Sequence, residues 1–124
     1  MSFTLSAQNK KEYLLVISKG IVSMTDGLIE HSTKIYQEIK KFGKEKILVD
    51  DTETRFPLSL FNYSDLVNHY VANLPPETKD LKIAIVISDS FRSMADFWET
   101  ICQNKGYQFR VFGDIQEAHN WLIK

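Results

Sequence analysis

The chain has little of what small proteins use for covalent or phosphate-binding chemistry. Its 124 residues include one cysteine, three prolines and five glycines. With Cys102 alone, no disulfide can form within the chain, which favours a reducing compartment. The glycines form neither the Gly-x-x-x-x-Gly-Lys-Ser/Thr loop nor the Gly-x-Gly-x-x-Gly turn that hold nucleotide phosphates. We therefore expect no cofactor, and we expect Cys102 to be a core thiol on the apolar side of a helix.

An excess of charge of one sign is also missing. The chain has 15 basic and 16 acidic residues, for a net charge of -1. A protein that neutralises nucleic-acid phosphates needs a basic excess, so nucleic acid is not an expected partner. No apolar run approaches the roughly 20 residues of a membrane-spanning helix, and the first residues lack the apolar stretch of a signal peptide. These features predict a cytoplasmic protein without a membrane span.

Familiar catalytic and metal-binding motifs are absent as well. No Gly-x-Ser-x-Gly elbow occurs. The histidines are His31, His69 and His119, and none has a second histidine or cysteine at ligand spacing. All of them fall on predicted helices, where we expect them at the surface or at its boundary. The sequence therefore predicts no catalytic residue and no metal site of a familiar kind.

The hydrophobic pattern predicts strands that alternate with helices, in the order β-β-α-β-α-β-α-β-α. The predicted strands are 3–7, 13–17, 46–49 (ending in Asp50-Asp51), 82–87 and 108–112. The predicted helices begin at Thr25 or Asp26, Ser59, Ser90 and Asp114, and the first three stop at Gly43, Pro75 and Gly106. We expect one α/β domain over residues 1–124, with an antiparallel hairpin at the edge of a mostly parallel sheet of about five strands.

Polar residues follow the predicted parallel strands, at the edge of the sheet where ligands of α/β proteins gather. The candidate ligand-binding or interaction residues at this edge are Asp50, Asp51, Ser88, Asp89 and Ser90. Clustered carboxylates can bind Mg²⁺ or transfer protons. The same residue types also cap helices and form turns, and this second interpretation is the more economical one.

An apolar stretch from Phe56 to Phe61 follows the third predicted strand, where loops are usually polar. Phe56 and Phe61 could line a pocket for an apolar ligand or form a contact surface. Packing against the neighbouring helix is the alternative.

Two parts of the chain carry a family resemblance. One is the strand Ile47-Leu48-Val49-Asp50 with the helix after it. The other is the C-terminal run that contains Ala95-Asp96-Phe97-Trp98-Glu99, Asn104-Lys105-Gly106, Val111-Phe112, Ala118 and Trp121-Leu122. With the order of elements, they resemble STAS-type domains, named for sulphate transporters and anti-sigma-factor antagonists. They resemble most the small SpoIIAA-like proteins, which are also grouped with SEC14-like domains.

The resemblance implies a SpoIIAA-like mixed sheet and a non-enzymatic role. Anti-sigma-factor antagonists are switched by phosphorylation of a serine in an Asp-Ser-Ser-Gly-Leu-like motif. Here the corresponding segment is Phe56-Pro57-Leu58-Ser59-Leu60, which lacks the aspartate and the glycine. Ser59 is the one phosphorylation candidate, and a phosphate at the start of a helix is physically reasonable. The SEC14-like relatives imply binding of a lipid or another apolar molecule.

Two classes of function therefore stay open. The first is a module that binds a protein partner or a small apolar ligand. The alternative is a small enzyme, or a Mg²⁺- or phosphate-binding protein, that uses Asp50, Asp51 and Asp89. A homodimer is a further possibility, because the N-terminal hairpin offers an exposed strand edge.

Overall fold

One mixed sheet forms the centre of the domain, in a computed structural model that describes residues 3–22, 25–57, 68, 72 and 74–124. Its five strands lie side by side in chain order. They are β1 (Phe3–Asn9), β2 (Leu14–Ile21), β3 (Lys46–Arg55), β4 (Lys82–Ile87) and β5 (Gln108–Phe112). β1 is antiparallel to β2, and β2 to β5 are parallel neighbours. The predicted α/β sheet with an antiparallel edge is confirmed.

Three α-helices and two short 3₁₀ turns have both of their ends within the described residues. The helices are α1 (Thr25–Phe42), α2 (Arg92–Asn104) and α3 (Ile115–Ile123), and the 3₁₀ turns are Pro76–Asp80 and Asp89–Phe91. Gly43 has φ +64° and Gly106 has φ +89°, the left-handed conformation in which glycine ends a helix without strain. Asp114 caps α3, because its carboxylate accepts a hydrogen bond from the Gln116 N–H. The predicted ends of α1 and α2 and the start of α3 are confirmed.

Two of the predicted boundaries differ from those in the structure, and a third prediction concerns residues that are mostly not described. β3 does not end at Asp50-Asp51 but continues to Arg55. Ser90 does not cap α2, because a 3₁₀ turn comes first and the helix starts at Arg92. Most of the predicted helix at 59–73 lies outside the described residues. Asn68 and Ala72 are the two described residues in this range, and both are helical.

The two faces of the sheet carry separate parts of the core. Because successive side chains of a strand point to opposite faces, β3 supplies Leu48 to one face and Ile47 and Val49 to the other. On the first face, Leu48, Ala84, Val86 and Phe112 pack against Ala118 and Leu122 of α3. On the second face, α1 and α2 cover the sheet. Burial on both sides explains the short apolar run Ile47-Leu48-Val49 in β3.

Side chains of α2 occupy the outer edge of β5. The Val111 N–H donates to Glu99 Oε2 at 2.6 Å, and the Val111 carbonyl accepts from Arg92 at 3.3 Å. The Phe109 carbonyl accepts from Gln103 Nε2 at 3.0 Å. These bonds take the backbone groups that another strand would use.

A search of the described helices for a membrane span finds none that is long and apolar enough to cross a bilayer.

The contact of α3 with the sheet predicts a difference between two adjacent residues. Leu122 is fully buried, whereas Ile123 is partly exposed. We expect Leu122→Ala to lower the free energy of unfolding by about 2–5 kcal/mol, because it loses apolar burial and leaves a cavity. Ile123→Ala should cost less than about 1.5 kcal/mol. Urea denaturation of both variants measures this, and equal losses would contradict the assignment of the buried face.

Candidate functional site

Four polar side chains lie inside the domain where β2 and β3 pack against α1. Ser18 belongs to β2, His31 to α1, and Asp51 and Thr54 to β3. Each is at most 4% exposed. We call these four residues the buried polar cluster. Polar groups so deep in a core need hydrogen-bond partners, because an unpaired buried group is costly.

A β-bulge in β3 brings two members of the cluster to the same face. Ile17 pairs with Asp50, but Lys19 pairs with Glu53, so β3 carries an extra residue between these positions. In a regular strand, side chains at positions 51 and 54 would point to opposite faces. With the bulge, both Asp51 and Thr54 are buried and contact each other.

The Asp50 carboxylate stabilises the bulge. Its Oδ1 accepts hydrogen bonds from the Thr52 N–H at 3.0 Å and from the Thr52 hydroxyl at 2.7 Å. A bulge leaves one residue outside the ladder, and this side chain gives that residue a local partner. Asp50 therefore acts here as a turn residue.

Hydrogen bonds connect all members of the cluster. His31 Nε2 lies 3.1 Å from Ser18 Oγ and 3.3 Å from Asp51 Oδ1. The Thr54 hydroxyl lies 2.8 Å from the Ser18 carbonyl oxygen and 2.9 Å from Ser18 Oγ. Among the described residues, no buried side-chain nitrogen or oxygen lacks a partner. The cluster therefore joins α1 to the bulge.

Serine, histidine and aspartate in contact call for comparison with a catalytic triad. In a triad, serine and aspartate bind opposite nitrogens of the imidazole, so that one nitrogen can take the serine proton while the aspartate orients the ring through the other. Here Ser18 and Asp51 both contact Nε2 of His31. Ser18 is also fully buried. The geometry is that of a structural hydrogen-bond cluster.

An apolar cavity of about 140 Å³ adjoins the cluster, between α1, α2 and the sheet. His31 and Asp51 form part of its wall. Much of the remaining wall is aliphatic and includes Ile35, Val49, Ile85, Ile87, Met94 and Ala95. An engineered cavity of about 150 Å³ takes up benzene or xenon, so this space suits a molecule of about one aromatic ring.

Aromatic rings surround His31 at this end of the cavity. Phe3 and Phe56 both meet the imidazole edge to face, with ring centroids at 5.2 Å and 5.6 Å. Phe56 also contacts Phe91, at 6.0 Å. Phe56 is buried and lines the cavity, and its predicted role in binding a ligand or a partner stays a prediction.

Cys102 lines the same cavity and is buried, which confirms the predicted core thiol. Burial raises the pKa of the Cys102 thiol to about 12, because a thiolate is poorly stabilised away from water. The thiol is therefore neutral at physiological pH and a poor nucleophile.

The structure separates the aspartates that the sequence grouped. Asp51 lines the cavity and contacts His31, whereas Asp50 bonds to Thr52. Asp89 is exposed. The Oδ1 atom of Asp89 lies 3.8 Å from the position that a Cβ on Gly113 would take, so the segments after β4 and β5 lie close together. Within the described ranges, no group of three His, Cys, Asp or Glu residues is arranged to hold a metal ion.

The remaining predicted site residues are placed as follows. Ser88 precedes the 3₁₀ turn without a side-chain capping bond. Ser90 lies within the turn and is exposed. Ser59 and Phe61 lie outside the described residues, so their predicted roles remain predictions.

The expectation that every histidine lies at or near the surface is wrong for His31, which is buried. The sequence does contain a signal for this, because His31 lies three residues after Leu28 and four before Ile35, on the apolar stripe of α1. His119 is partly buried, with Nδ1 3.3 Å from the Tyr13 hydroxyl. His69 lies outside the described residues.

Comparison with known proteins identifies the fold. No protein-family model and no curated protein matches the sequence. An anti-sigma factor antagonist from Mycobacterium paratuberculosis matches the structure with a TM-score of 0.66 and 10% identity, over 99% of this chain and 96% of that chain. An uncharacterized DUF3478-family protein with a SpoIIAA-like fold from Shewanella loihica matches with a TM-score of 0.56 and 21% identity, over 98% and 95%. The chain therefore has a SpoIIAA-like fold, as its sequence resemblance implied.

Two threonines of β3 test the energetic role of the buried polar cluster. We expect Thr54→Val to lower the free energy of unfolding by about 1–3 kcal/mol, because the buried partners of its hydroxyl lose a hydrogen bond. Thr52→Val is the matched control: it removes an exposed hydroxyl but keeps the Thr52 N–H bond to Asp50 that holds the bulge, and it should cost less than about 0.5 kcal/mol. Chemical denaturation measures both, and a Thr52→Val loss as large as that of Thr54→Val would contradict the assignment.

Proposed function

We propose that this chain is a non-enzymatic regulatory module that acts by binding a protein partner. The fold likeness to a protein named as an anti-sigma factor antagonist supports the proposal, because it extends over nearly the whole of both chains. The buried polar cluster supports it too, since its geometry is structural. A binding role needs a surface rather than a reactive group.

The best-supported surface is the edge of the sheet where the parallel strands end. Among the described residues, the large hydrophobic side chains that are exposed are Ile21, Ile29 and Ile115. Ile21 ends β2, and Ile115 follows β5, so two of them lie at this edge. Exposed Arg55, Asp89 and Ser90 lie at the same edge. We call Ile21, Arg55, Asp89, Ser90 and Ile115 the carboxyl-end rim, and its mixture of apolar and polar groups suits a protein interface.

Substitutions at the carboxyl-end rim test this proposal. The immobilised protein is incubated with native lysate of its source organism, and bound proteins are identified by mass spectrometry. We expect Ile21→Lys and Ile115→Lys to reduce recovery of a specific partner at least about tenfold, because lysine is costly to desolvate in an interface. Ile29→Lys, an equally exposed isoleucine on the outer side of α1, is the matched control and should retain the partner.

Equal recovery with all three variants would show that the partner binds elsewhere. Failure to recover any specific partner in repeated trials would count against a protein-binding module.

The geometry gives less support to a small enzyme, or a Mg²⁺- or phosphate-binding site, at Asp50, Asp51 and Asp89. The Asp50 carboxylate accepts a hydrogen bond from the Thr52 N–H in the bulge, and Asp51 Oδ1 contacts His31 in the buried polar cluster. Within the described residues, these carboxylates also do not converge with a third ligand that could hold a metal ion.

A second candidate function is binding of a small apolar ligand, and the cavity of about 140 Å³ favours it. A mostly apolar space of this size gains little from holding water. The apolar wall would instead favour an uncharged guest, because transfer of its surface out of water is favourable.

Toluene is a suitable test molecule for this second candidate. We expect it to raise the melting temperature of the protein and to shift amide resonances of α1 and α2 in NMR spectra. Ala95→Leu should abolish both effects, because residue 95 lines the cavity and the larger side chain would fill it. Ala72→Leu adds the same atoms at an exposed helical position and should leave binding unchanged. The absence of toluene binding to the unmodified protein would exclude this function.

A further inference from the structure

The wall of the cavity has two polar parts, and they differ in the hydrogen bonds that they can still form. Tyr36 and Thr78 both line the cavity, and their hydroxyl oxygens lie 3.0 Å apart. One of these hydroxyls therefore donates to the other, and the pair keeps one O–H that can still donate. His31 and Asp51 form a second polar part of the wall.

Asp51 retains capacity to accept a hydrogen bond. Its contacts with His31 and with Thr54 are both 3.3 Å long and both fall on Oδ1. Both contacts are therefore at the long end of the hydrogen-bond range, and both use the same oxygen. No described residue donates to Oδ2, although a carboxylate has about four acceptor positions. An O–H or N–H group in the cavity would therefore find an acceptor there.

The same carboxylate opposes one large class of apolar ligands. A fatty acid or an aromatic acid would bring a second negative charge beside Asp51 in a space with little water. Like charges at short range in such surroundings repel strongly. The described lining residues include no lysine or arginine, and His31, the one lining side chain that can carry a positive charge, is already in contact with Asp51.

The walls favour a flat ring over a long chain. His31, Phe56, Trp98, Tyr107 and Phe109 all line the cavity, and aromatic guests contact such rings edge to face. A volume of about 140 Å³ is close to that of a cavity that takes up one ring and is small for a long acyl chain.

We infer that the cavity binds small, uncharged aromatic molecules that carry a hydrogen-bond donor, with Asp51 as the acceptor, and that it rejects carboxylic acids. The inference rests on the second candidate function above, because it requires that the cavity takes up a ligand at all. It adds a specificity-determining residue and a chemical class.

Three one-ring molecules are compared: toluene, phenol and benzoate. They test separately whether the cavity takes up a ligand and whether Asp51 selects among ligands. Their dissociation constants are measured by NMR titration of the unmodified protein. Toluene tests the cavity alone, phenol adds a donor at nearly the same size, and benzoate adds a carboxylate. We expect phenol to bind at least as tightly as toluene, and benzoate at least about tenfold more weakly than phenol.

Asp51→Asn tests the acceptor. A hydrogen bond to a charged group is about one tenfold step in affinity stronger than one to a neutral group. The preference for phenol over toluene should therefore fall about tenfold in this variant, while toluene binding persists. Ala95→Leu should abolish binding of both molecules.

The outcomes are distinguishable. If neither toluene nor phenol binds, the cavity is not a ligand site and the second candidate function fails together with this inference. If toluene binds but phenol is weaker, or benzoate binds as well as phenol, the inference is overturned while the cavity function stands. The comparison of the three molecules on the unmodified protein decides this even if Asp51→Asn does not fold.

Discussion

The extra residue in β3 is the constraint on which the α1 side of the domain depends. It places Asp51 and Thr54 on the same face, and Thr54 then binds Ser18 of the neighbouring strand. His31 closes the arrangement from α1. If the strand were regular, one of the two β3 side chains would point away from α1, and His31 or Ser18 would lose a partner inside the core. Bulge, cluster and the seating of α1 therefore form one unit.

The two faces of the sheet are packed differently. The face under α3 is filled by close packing of side chains such as Leu48 and Leu122. The face under α1 and α2 holds polar groups and an unfilled space side by side. Close packing gives the greater stability per residue, whereas a cavity costs stability and is retained more readily where it binds something. This difference agrees with the ligand site that we propose on the α1 side.

Much of the fold could be predicted because its signals are local. The apolar run of β4, the glycines after α1 and α2 and the Asp114 cap each specify an element by their own chemistry. The buried polar cluster could be predicted only in part. Ser18 continues the alternation that Leu14 and Val16 begin, and His31 lies on the apolar stripe of its helix. The place of Thr54 depends on the bulge, which arises from pairing between β2 and β3 and leaves no periodic mark in either strand.

The occupied edge of β5 has a consequence for how copies of the molecule can meet. Glu99, Gln103 and Arg92 already bond to the backbone groups there, so a foreign strand would have to displace them. Extension of the sheet is then confined to the β1 side. Strand pairing between two such edges uses up both, which gives a closed pair, whereas a protein with two open edges can add copies without end. Because only the β1 edge is open, pairing of sheet edges works against the growth of fibres.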